Sequence, residues 1–404
     1  MRIALVTREY PPETSWGGIG THYAAFSAGL RAAGCEVEVF TQGLTSPSIG
    51  DENGVLVHRV VPRTWLAGPK IGGDMAGHSL RTIGIFSLSL AREFATAFRA
   101  RHAESPFDIV DAHEHLGVSG FLRGAKNMRP LIVARYQTAY DSFVTRRMAN
   151  WPRSRLVRWL ENRAIQNAHI RVATSHSIES ITREDFPRTP PADEIIPNLT
   201  AVSFPVSDVD LEKGREPLML FAGRLMPGHK NPDHVAAAFA RVAPDFPEWR
   251  VEFAGNDIPL DANTSMWDRC EEILRPFRGR YYYHGRLPPE ELARLYRRAS
   301  ILIVPSRIES YGLVALEAMA NGCVPLVANN TALPEVVGEA GVVFDNGDLD
   351  SLERQLRPLL ADGTLREGYR RAGIEKFRRD YSPDSVVATN IALFERELGK
   401  LRPR

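Results

Sequence analysis

Two glutamates in the segment ESYGLVALEAMANG have a spacing that suggests ligand chemistry. Glu309 and Glu317 lie eight positions apart. The apolar spacing from about residue 312 predicts a helix that ends at a glycine, which places Glu309 in the preceding loop and Glu317 inside the helix. Eight residues of one helix would span ~12 Å, whereas carboxylate pairs that cleave glycosidic bonds lie ~5–9.5 Å apart. Two carboxylates that hold different parts of an extended ligand therefore fit better than a catalytic pair, and surface glutamates favoured by the helix dipole are the third interpretation.

The first turn of this helix is a candidate anion site. The first N–H groups of a helix have no partner inside it, and they point toward a ligand at the N-terminus. The amides of Tyr311, Gly312 and Leu313 therefore have the chemistry to receive a phosphate between the two carboxylates. A carboxylate also holds a sugar diol well, as an acidic residue does on the ribose of dinucleotides.

Two more candidates follow predicted strands in the first half of the chain. The segment SWGGIG, residues 15–20, lies between a strand and a helix, and its glycines let the backbone approach an anion. His113 follows a strand that is predicted to end at Val110, and it can donate to a sugar hydroxyl or act as an acid or base. Taken alone, a tight turn and a hydrogen-bonded strand end explain these segments as well or better.

The segment GRLMPGHK, residues 223–230, follows the first predicted strand of the second half. It contains Arg224 and Lys230. A guanidinium fork and a compact ammonium group suit a diphosphate. Taken alone, solvated surface charges explain these two side chains better.

The elements that would position these residues alternate between strand and helix. The runs that predict strands are RIALVT, CEVEVFT, VLVHRVV, FDIVDAHEH, PLIVARYQ and IRVATS in the first half, and PLMLFAGRL, WRVEFAGND, RYYYHGRL, SILIVPS, VPLVAN and GVVFDN in the second. Helical patterns separate most of these runs, so each half is expected to form an open, doubly wound α/β sheet. In such sheets ligands bind beyond the carboxyl ends of the strands, where the candidate residues lie.

A polar segment around residues 200–216 interrupts this alternation and is interpreted as a linker. The sequence therefore predicts an N-terminal Rossmann-like domain over residues 1–205 and a C-terminal one over residues 212–384, facing each other across a central cleft. Residues 385–404 form a final amphipathic helix.

Composition limits the classes of function. The 404 residues fit two or three domains, and 50 basic against 49 acidic residues give no sign of nucleic-acid binding. Cys35, Cys270 and Cys323 lie far apart, which argues against a disulfide framework or a zinc cluster and favours a reducing cytoplasm.

Together these segments resemble the retaining glycosyltransferases of family 4, which have the GT-B fold, over nearly the whole chain. The similar segments are E-x7-E at Glu309…Glu317, GGxx at Gly17-Gly18, D-x-x-x-x-H at Asp108…His113, the diphosphate-binding Arg…Lys pair at Arg224 and Lys230, and LPE-(V/I) at residues 333–337. Each motif is modest alone, but their order and spacing together are specific.

The resemblance implies a role for each residue of the donor site. Glu317 would hold the nucleotide ribose, and Glu309 would contact hydroxyls of the donor sugar near its anomeric carbon. Arg224 and Lys230 would neutralise the leaving diphosphate, so neither a metal ion nor any other cofactor is expected. The nucleotide sugar is then a substrate.

The resemblance also assigns the remaining candidates. Gly17 and Gly18 would approach the diphosphate from the N-terminal acceptor domain, and His113 would contact the transferred sugar. Arg286, in the segment HGRL, would pass beside the base. The final helix would cross back to the N-terminal domain.

The expected function is transfer of a hexosyl-type sugar from a nucleoside diphosphate sugar to a hydroxyl acceptor, with retention of configuration. A GT-B phosphorylase, a nucleotide-sugar epimerase and a non-catalytic sugar-nucleotide-binding subunit are the alternatives. The chain departs from the family at four places. Arg224 and Lys230 stand six residues apart instead of five, which makes His229 an additional phosphate candidate. Gln137 and Leu199 replace a histidine and a glycine, and Thr331-Ala332 replaces a pair of glycines before the LPE segment.

The segment RRMANWPRSRLVRWLENR, residues 146–163, contains six arginines and two tryptophans. A basic surface that bears tryptophan can contact anionic lipid weakly at the inner membrane face. The alternative, a solvated helix face with its tryptophans packed inward, is favoured by the composition. The expected location is the cytoplasm in either case.

Overall fold

A computed structural model describes residues 1–14, 17–63, 83–123, 129–137, 152–200 and 215–401 of the 404-residue chain. The chain divides into two compact units: unit 1 contains Met1–Thr200 and Pro383–Arg404, and unit 2 contains Ala201–Ser382. Most of the predicted linker lies outside the described residues.

Unit 1 is built on one mostly parallel sheet. Its strands are β1 (Arg2–Val6), β2 (Glu36–Gln42), β3 (Ser48–Glu52), β4 (Val55–Val60), β5 (Ile109–His113), β6 (Leu131–Tyr136), β7 (Ile170–Ala173) and β8 (Glu194–Ile195). Within the described ranges the order is β3-β4-β2-β1-β5-β6-β7-β8, and β3 alone runs antiparallel to its neighbour. The central strands are almost wholly buried because helices cover both faces of a parallel sheet.

The helices of unit 1 are α1 (Gly18–Ala32), α2 (Ile83–Glu104), α3 (Pro152–Asn167), α4 (His176–Asp185) and the final helix of the chain, α12 (Pro383–Gly399). Gly29 lets α1 approach α12 closely, since a Cβ at this position would lie 2.6 Å from a methyl group of Val387. Arg135 of β6 pairs with Asp111 of β5 at 2.7 Å and donates to Oδ1 of Asn390 at 2.8 Å. These buried contacts fix the final helix to the strands of unit 1.

Unit 2 is built on a parallel sheet. Its strands are β9 (Leu218–Ala222), β10 (Arg250–Ala254), β11 (Tyr281–Tyr283), β12 (Ile301–Val304), β13 (Val324–Ala328) and β14 (Val342–Phe344), in the order β11-β10-β9-β12-β13-β14. This is the 3-2-1-4-5-6 order of the Rossmann fold. The strand order reverses between β9 and β12, where ligands bind in such sheets.

The helices of unit 2 are α5 (Pro232–Val242), α6 (Met266–Leu274), α7 (Pro289–Arg298), α8 (Leu313–Ala320), α9 (Leu333–Val337), α10 (Leu349–Ala361) and α11 (Gly363–Lys376). Short 3-10 turns cover His115–Gly117, Arg275–Phe277 and Gly338–Ala340, and a π-helical turn covers Phe377–Tyr381. The core of unit 2 includes Phe239, Trp249 and Phe253, which lie between the sheet and its helices. No described helix has the length and hydrophobicity required to span a membrane.

The predicted α/β class with two Rossmann-like domains is confirmed by the two sheets. One strand boundary was wrong, since the strand that was predicted to end at Val110 continues to His113. Asp111 is polar but fully buried against Arg135, so the chain stays in the sheet where its sequence suggests a loop. The short strands β3 and β8 were not predicted; the first is an exposed edge strand with polar residues.

Candidate active site

Glu309 and Glu317 of the segment ESYGLVALEAMANG lie in a loop and in the helix that follows it in unit 2. Glu309 lies in the loop between β12 and α8, and Glu317 lies inside α8. Each is only 8% exposed. The interpretation as surface charges is therefore wrong, because surface glutamates in a first turn would be solvated.

Glu309 is held by groups from three segments. Lys230 forms an ion pair with its Oε2 atom, and Ser306 donates to the same oxygen at 3.2 Å. Thr331 donates its hydroxyl to the backbone carbonyl of Glu309. The loop thus fixes both the carboxylate and the main chain at this position.

The loop that carries Lys230 is bound to the loop that carries Glu309. The carbonyl of His229 accepts a hydrogen bond from the amide of Arg307 at 2.7 Å, and the side chain of Asn231 donates to the carbonyl of Pro305 at 3.3 Å. Asn231 has a left-handed backbone with φ 47°, which turns the chain into α5. These contacts cross from the end of β9 to the end of β12.

Arg224, His229 and Lys230 share the loop after β9. Burial lowers the pKa of His229, and the positive charges of Lys230 and Arg224 lower it further. His229 is therefore neutral at pH 7, and Arg224 with Lys230 supplies the positive charge of the loop. An anion at this edge of the sheet would meet two cations.

The start of α8 has the geometry of an anion site. Gly312 precedes the helix with φ 96°, and its carbonyl accepts from Ala315 at 2.9 Å and Leu316 at 3.4 Å. The amides of Leu313 and the residue after it therefore lie at the open end of the helix. A Cβ at Gly312 would lie 2.5 Å from Cδ2 of Leu333, so the site requires glycine for both conformation and space. Tyr311 is buried beside it.

Glu317 has different partners from Glu309. Tyr296 of α7 donates its hydroxyl to Oε2 of Glu317 at 3.0 Å, and both side chains are buried. Burial, and then the nearby carboxylate, raises the pKa of Tyr296 well above its ordinary value, so the phenol stays protonated. The structure thus brings Lys230 to Glu309 and a tyrosine to Glu317.

Arg286 lies farther out along the sheet than the other predicted donor residues. It is exposed and lies in the segment after β11, which is the edge strand beside β10. The carbonyl of Gly285 accepts from the amide of Gly255 at 2.8 Å and connects this segment to the end of β10.

The predicted residues of unit 1 belong to segments at two neighbouring strands, β1 and β5, where the strand order of that sheet reverses. Gly17 precedes α1 in an extended conformation, and Gly18 is the first helical residue. His113 is fully buried, and its Nε2 accepts from the amide of Arg8 at 3.3 Å, so the neutral ring carries its proton on Nδ1. Burial, then His115 and Arg8, place the pKa of His113 well below its ordinary value.

Sequence reasoning missed the residues that support these groups. Tyr296, Ser306, Thr331 and Asn231 were not predicted as parts of the site. A signal existed for Tyr296, because a tyrosine in an amphipathic helix just before a buried strand has its hydroxyl to satisfy. Ser306 and Thr331 gave no such signal, since their roles depend on how the loops fold.

The two halves of the chain match two glycosyltransferase family models. Residues 206–376 match the model described as glycosyl transferases group 1, and residues 17–198 match the glycosyl transferase 4-like domain. The chain is 27% identical to a D-inositol 3-phosphate glycosyltransferase of Corynebacterium diphtheriae, with 93% of this chain and 90% of that protein covered. It is 25% identical to an alpha-maltose-1-phosphate synthase of Mycolicibacterium smegmatis, with 98% and 99% covered.

The fold also matches a solved structure over nearly its full length. Sucrose-phosphate synthase from Thermosynechococcus elongatus superposes with a TM-score of 0.76 at 21% identity, and the match covers 98% of this chain and 99% of that one. At this identity the likeness establishes the arrangement of the chain in each domain and not the substrate.

Proposed function

Because the chain belongs to the group 1 glycosyltransferases, we propose that it moves a hexosyl-type sugar from a nucleoside diphosphate sugar to a hydroxyl acceptor. The proposal includes retention of configuration and independence from metal ions. Transfer of a glycosyl group follows from the family, whereas the donor, the stereochemistry and the acceptor are the parts we propose.

The observation that carries the proposal is the ion pair of Lys230 and Glu309 at the reversal of the strand order. A nucleoside diphosphate sugar presents an anion and a set of hydroxyls next to each other. An ammonium group suits the first and a carboxylate suits the second. The N-terminus of α8 adds backbone amides for the same phosphates.

Leaving-group stabilisation is the main catalytic task that we assign to unit 2. The bond between the anomeric carbon and the diphosphate oxygen breaks, and charge develops on that oxygen. We assign the stabilisation of this charge to Arg224 and Lys230, which would act electrostatically, as a metal does in other enzymes. Two cationic side chains in this role support metal independence.

Retention requires the acceptor oxygen to bond to the anomeric carbon on the face that the diphosphate leaves. In the step we propose, the leaving phosphate oxygen takes the proton of the acceptor hydroxyl as the new bond forms. Glu309 contacts hydroxyls of the donor sugar near that carbon. The resemblance to family 4 is the support for assigning neutral His113 to the transferred sugar and the amides at Gly17 and Gly18 to the diphosphate.

The position of Glu317 supports a separate role at the nucleotide. Its carboxylate is buried, and it lies on the helix whose first turn is assigned to the phosphates. A carboxylate at that place can accept hydrogen bonds from a ribose diol. Arg286, on the exposed segment after β11, is assigned to the neighbourhood of the base.

A transfer assay tests the proposal. The protein is incubated with UDP-, GDP-, ADP- and TDP-sugars and a panel of hydroxyl acceptors, and nucleoside diphosphate release and the anomeric configuration of the product are measured by NMR. Both relatives carry a phosphorylated polyol or sugar in their names, so the panel begins with phosphorylated cyclitols and hexoses.

The same assay separates the alternatives. Acceptor-dependent nucleoside diphosphate release with a retained anomeric centre supports the proposal. In a parallel reaction with a glycoside and inorganic phosphate, formation of a sugar phosphate indicates a phosphorylase, and an epimerised nucleotide sugar in the first reaction indicates an epimerase. Binding of nucleotide sugar without turnover across the panel indicates a binding subunit.

A further inference from the structure

Tyr296 of α7 and Glu317 of α8 form a buried, hydrogen-bonded pair. The phenolic hydroxyl donates to Oε2 of Glu317 at 3.0 Å. A hydrogen bond from a fixed phenol to one carboxylate oxygen is directional, so it sets the rotation of the carboxyl group. A carboxylate has about four lone-pair sites, and Tyr296 uses one of them.

Arg215 joins the ends of the two helices that carry this pair. Its Nη1 donates to the carbonyls of Tyr296 at 2.7 Å and Ala299 at 2.6 Å, and its Nη2 donates to the carbonyl of Asn321. These carbonyls lie at the C-terminal ends of α7 and α8, where a cation is favoured by both helix dipoles. Gly322 leaves space for the guanidinium, since a Cβ there would lie 2.7 Å from Nη2.

Asn321 continues the connection to Glu317. Its side chain donates to the carbonyl of Glu317 at 2.9 Å, and the residue is fully buried. The guanidinium of Arg215 therefore holds the main chain of Asn321 while the side chain of Asn321 holds the last turn of α8. The backbone and the carboxylate of Glu317 are both fixed from the side of α7.

We propose that Tyr296 is a positioning residue for the donor, which orients the carboxylate of Glu317 toward the ribose diol, and that Arg215 holds the two helices in register for this purpose. The inference rests on the proposed role of Glu317 at the ribose. It adds a residue whose contribution passes through another side chain. Tyr296 itself does not touch the nucleotide.

If Tyr296 acts through Glu317, its effect on nucleotide affinity depends on the ribose hydroxyls. Tyr296→Phe keeps the shape of the ring and removes the oxygen that fixes the carboxylate. We expect it to weaken nucleotide binding about tenfold, the size of one lost hydrogen bond to a charged group. The loss should shrink to less than about threefold for a nucleotide that lacks the hydroxyl held by Glu317, since that nucleotide gains nothing from the orientation.

Isothermal titration calorimetry with the full chain measures this coupling. UDP, GDP and ADP are titrated first, and the tightest of them is then compared with its 2′-deoxy and 3′-deoxy forms in wild type and Tyr296→Phe. Tyr381→Phe is the matched control, because its buried hydroxyl donates to the carbonyl of Val336 at 3.1 Å in the same unit. We expect the control to leave the discrimination between ribose and deoxyribose unchanged.

Three outcomes would overturn the inference. An equal loss for the ribose and deoxy nucleotides in Tyr296→Phe would show that the tyrosine acts on the fold and not through the diol. A loss below twofold would show that it does not orient Glu317. If wild type itself binds none of the probes, or binds deoxy forms as tightly as ribose forms, the ribose assignment in the proposed function fails first, and this inference fails with it.

Two more variants keep the test decisive if Tyr296→Phe is unstable. Arg215→Lys leaves the phenol in place but cannot bridge three carbonyls, so we expect reduced ribose discrimination. Glu317→Gln should abolish most of the discrimination and make a further Tyr296→Phe change silent. In a turnover assay, Tyr296→Phe should raise KM for the donor and leave kcat within about twofold. Two results would contradict the proposed chain of contacts. One is an Arg215→Lys variant that distinguishes ribose from deoxyribose as well as wild type does, and the other is a further loss of affinity when Tyr296→Phe is added to Glu317→Gln.

Discussion

Lys230 and Glu309 form an ion pair between the loop after β9 and the loop after β12, which are the two strands at the reversal of the sheet order in unit 2. Neither loop is near the other in sequence. The pair exists because β9 and β12 are neighbours in the sheet, and both loops leave it at the carboxyl ends of these strands. A cation and a carboxylate are thus placed at the edge where an open α/β sheet binds its ligand.

Removal of the cation should affect the chemical step. We expect Lys230→Ala to lower kcat for glycosyl transfer by about 10²- to 10³-fold, because one group that stabilises the leaving diphosphate is lost. Lys376→Ala is the control, since Lys376 forms an ion pair with Asp380 at 3.1 Å elsewhere in the same unit. Initial rates at saturating donor measure the effect, and a Lys230→Ala rate within threefold of wild type would exclude the assigned role.

Buried histidines should make the protein less stable in mild acid. Burial, as the largest cause, lowers the pKa of both His113 and His22 well below the ordinary value. In the unfolded chain each has a pKa of ~6.5. Below that pH the unfolded state binds protons that the folded state does not, so the free energy of unfolding should fall between pH 7 and pH 5.5, by up to ~1.4 kcal/mol per pH unit for each histidine.

Urea unfolding at three pH values measures this effect. His22→Gln is an informative variant, because its side-chain oxygen can still accept from the amide of Leu199, which donates to Nδ1 of His22 at 2.9 Å. The variant should show a shallower decline toward pH 5.5. A wild-type stability that is constant or rises in this interval would contradict the assignment of neutral, buried imidazoles.

Gly312 should tolerate no side chain. A φ of 96° is unfavourable for a residue with a Cβ. A Cβ added at this position would also lie 2.5 Å from Cδ2 of Leu333. We expect Gly312→Ala to lower the free energy of unfolding by about 1–3 kcal/mol and to weaken donor binding, because the start of α8 must shift.

Gly347 provides the matched comparison. It also has a positive φ, 80°, but a Cβ there would meet no atom within 4 Å. Gly347→Ala should therefore show the conformational cost alone, with normal donor affinity. Equal effects of the two substitutions on nucleotide binding, measured by calorimetry, would show that space at the start of α8 is not required.

The surface of α3 is the place to test membrane contact. Trp159 is 47% exposed, and the guanidinium of Arg163 lies 5.3 Å from its ring, so the interpretation of inward-packed tryptophans is wrong for this residue. Residues 146–151 of the predicted basic segment lie outside the described residues. We expect weak, salt-sensitive binding to vesicles that contain anionic lipid, reduced by Trp159→Ala. Cosedimentation that shows no binding at low salt would end this proposal.

The sequence predicted the local structure around the donor residues well. Period-2 and buried apolar runs identified the strands, and helical spacing placed Glu309 in a loop and Glu317 in a helix, as the structure has them. The sequence also placed Gly312 at the start of this helix, as the structure has it. Such features depend on residues close in sequence, so their pattern is readable along the chain.

The sequence did not predict which side chains from distant segments contact each other. The contacts of Lys230 with Glu309 and of Tyr296 with Glu317 depend on which strands are neighbours and on loop conformations set by residues such as Asn231. The predicted end of β5 was wrong for a related reason. A buried ion pair lets Asp111 occupy a strand, and its partner Arg135 comes from another part of the chain.

The most direct test of the central claim is a thermal-shift screen of wild type and Lys230→Ala against UDP, GDP, ADP and TDP and their sugars. A ligand that binds the folded state alone stabilises it by about 2.7 kcal/mol at 100 times its Kd. We expect one nucleotide series to raise the melting temperature of wild type and of Lys376→Ala, and to lose most of that shift in Lys230→Ala. A wild type that no nucleotide sugar stabilises, or a Lys230→Ala variant that keeps the whole shift, would contradict a donor site built on Lys230 and Glu309.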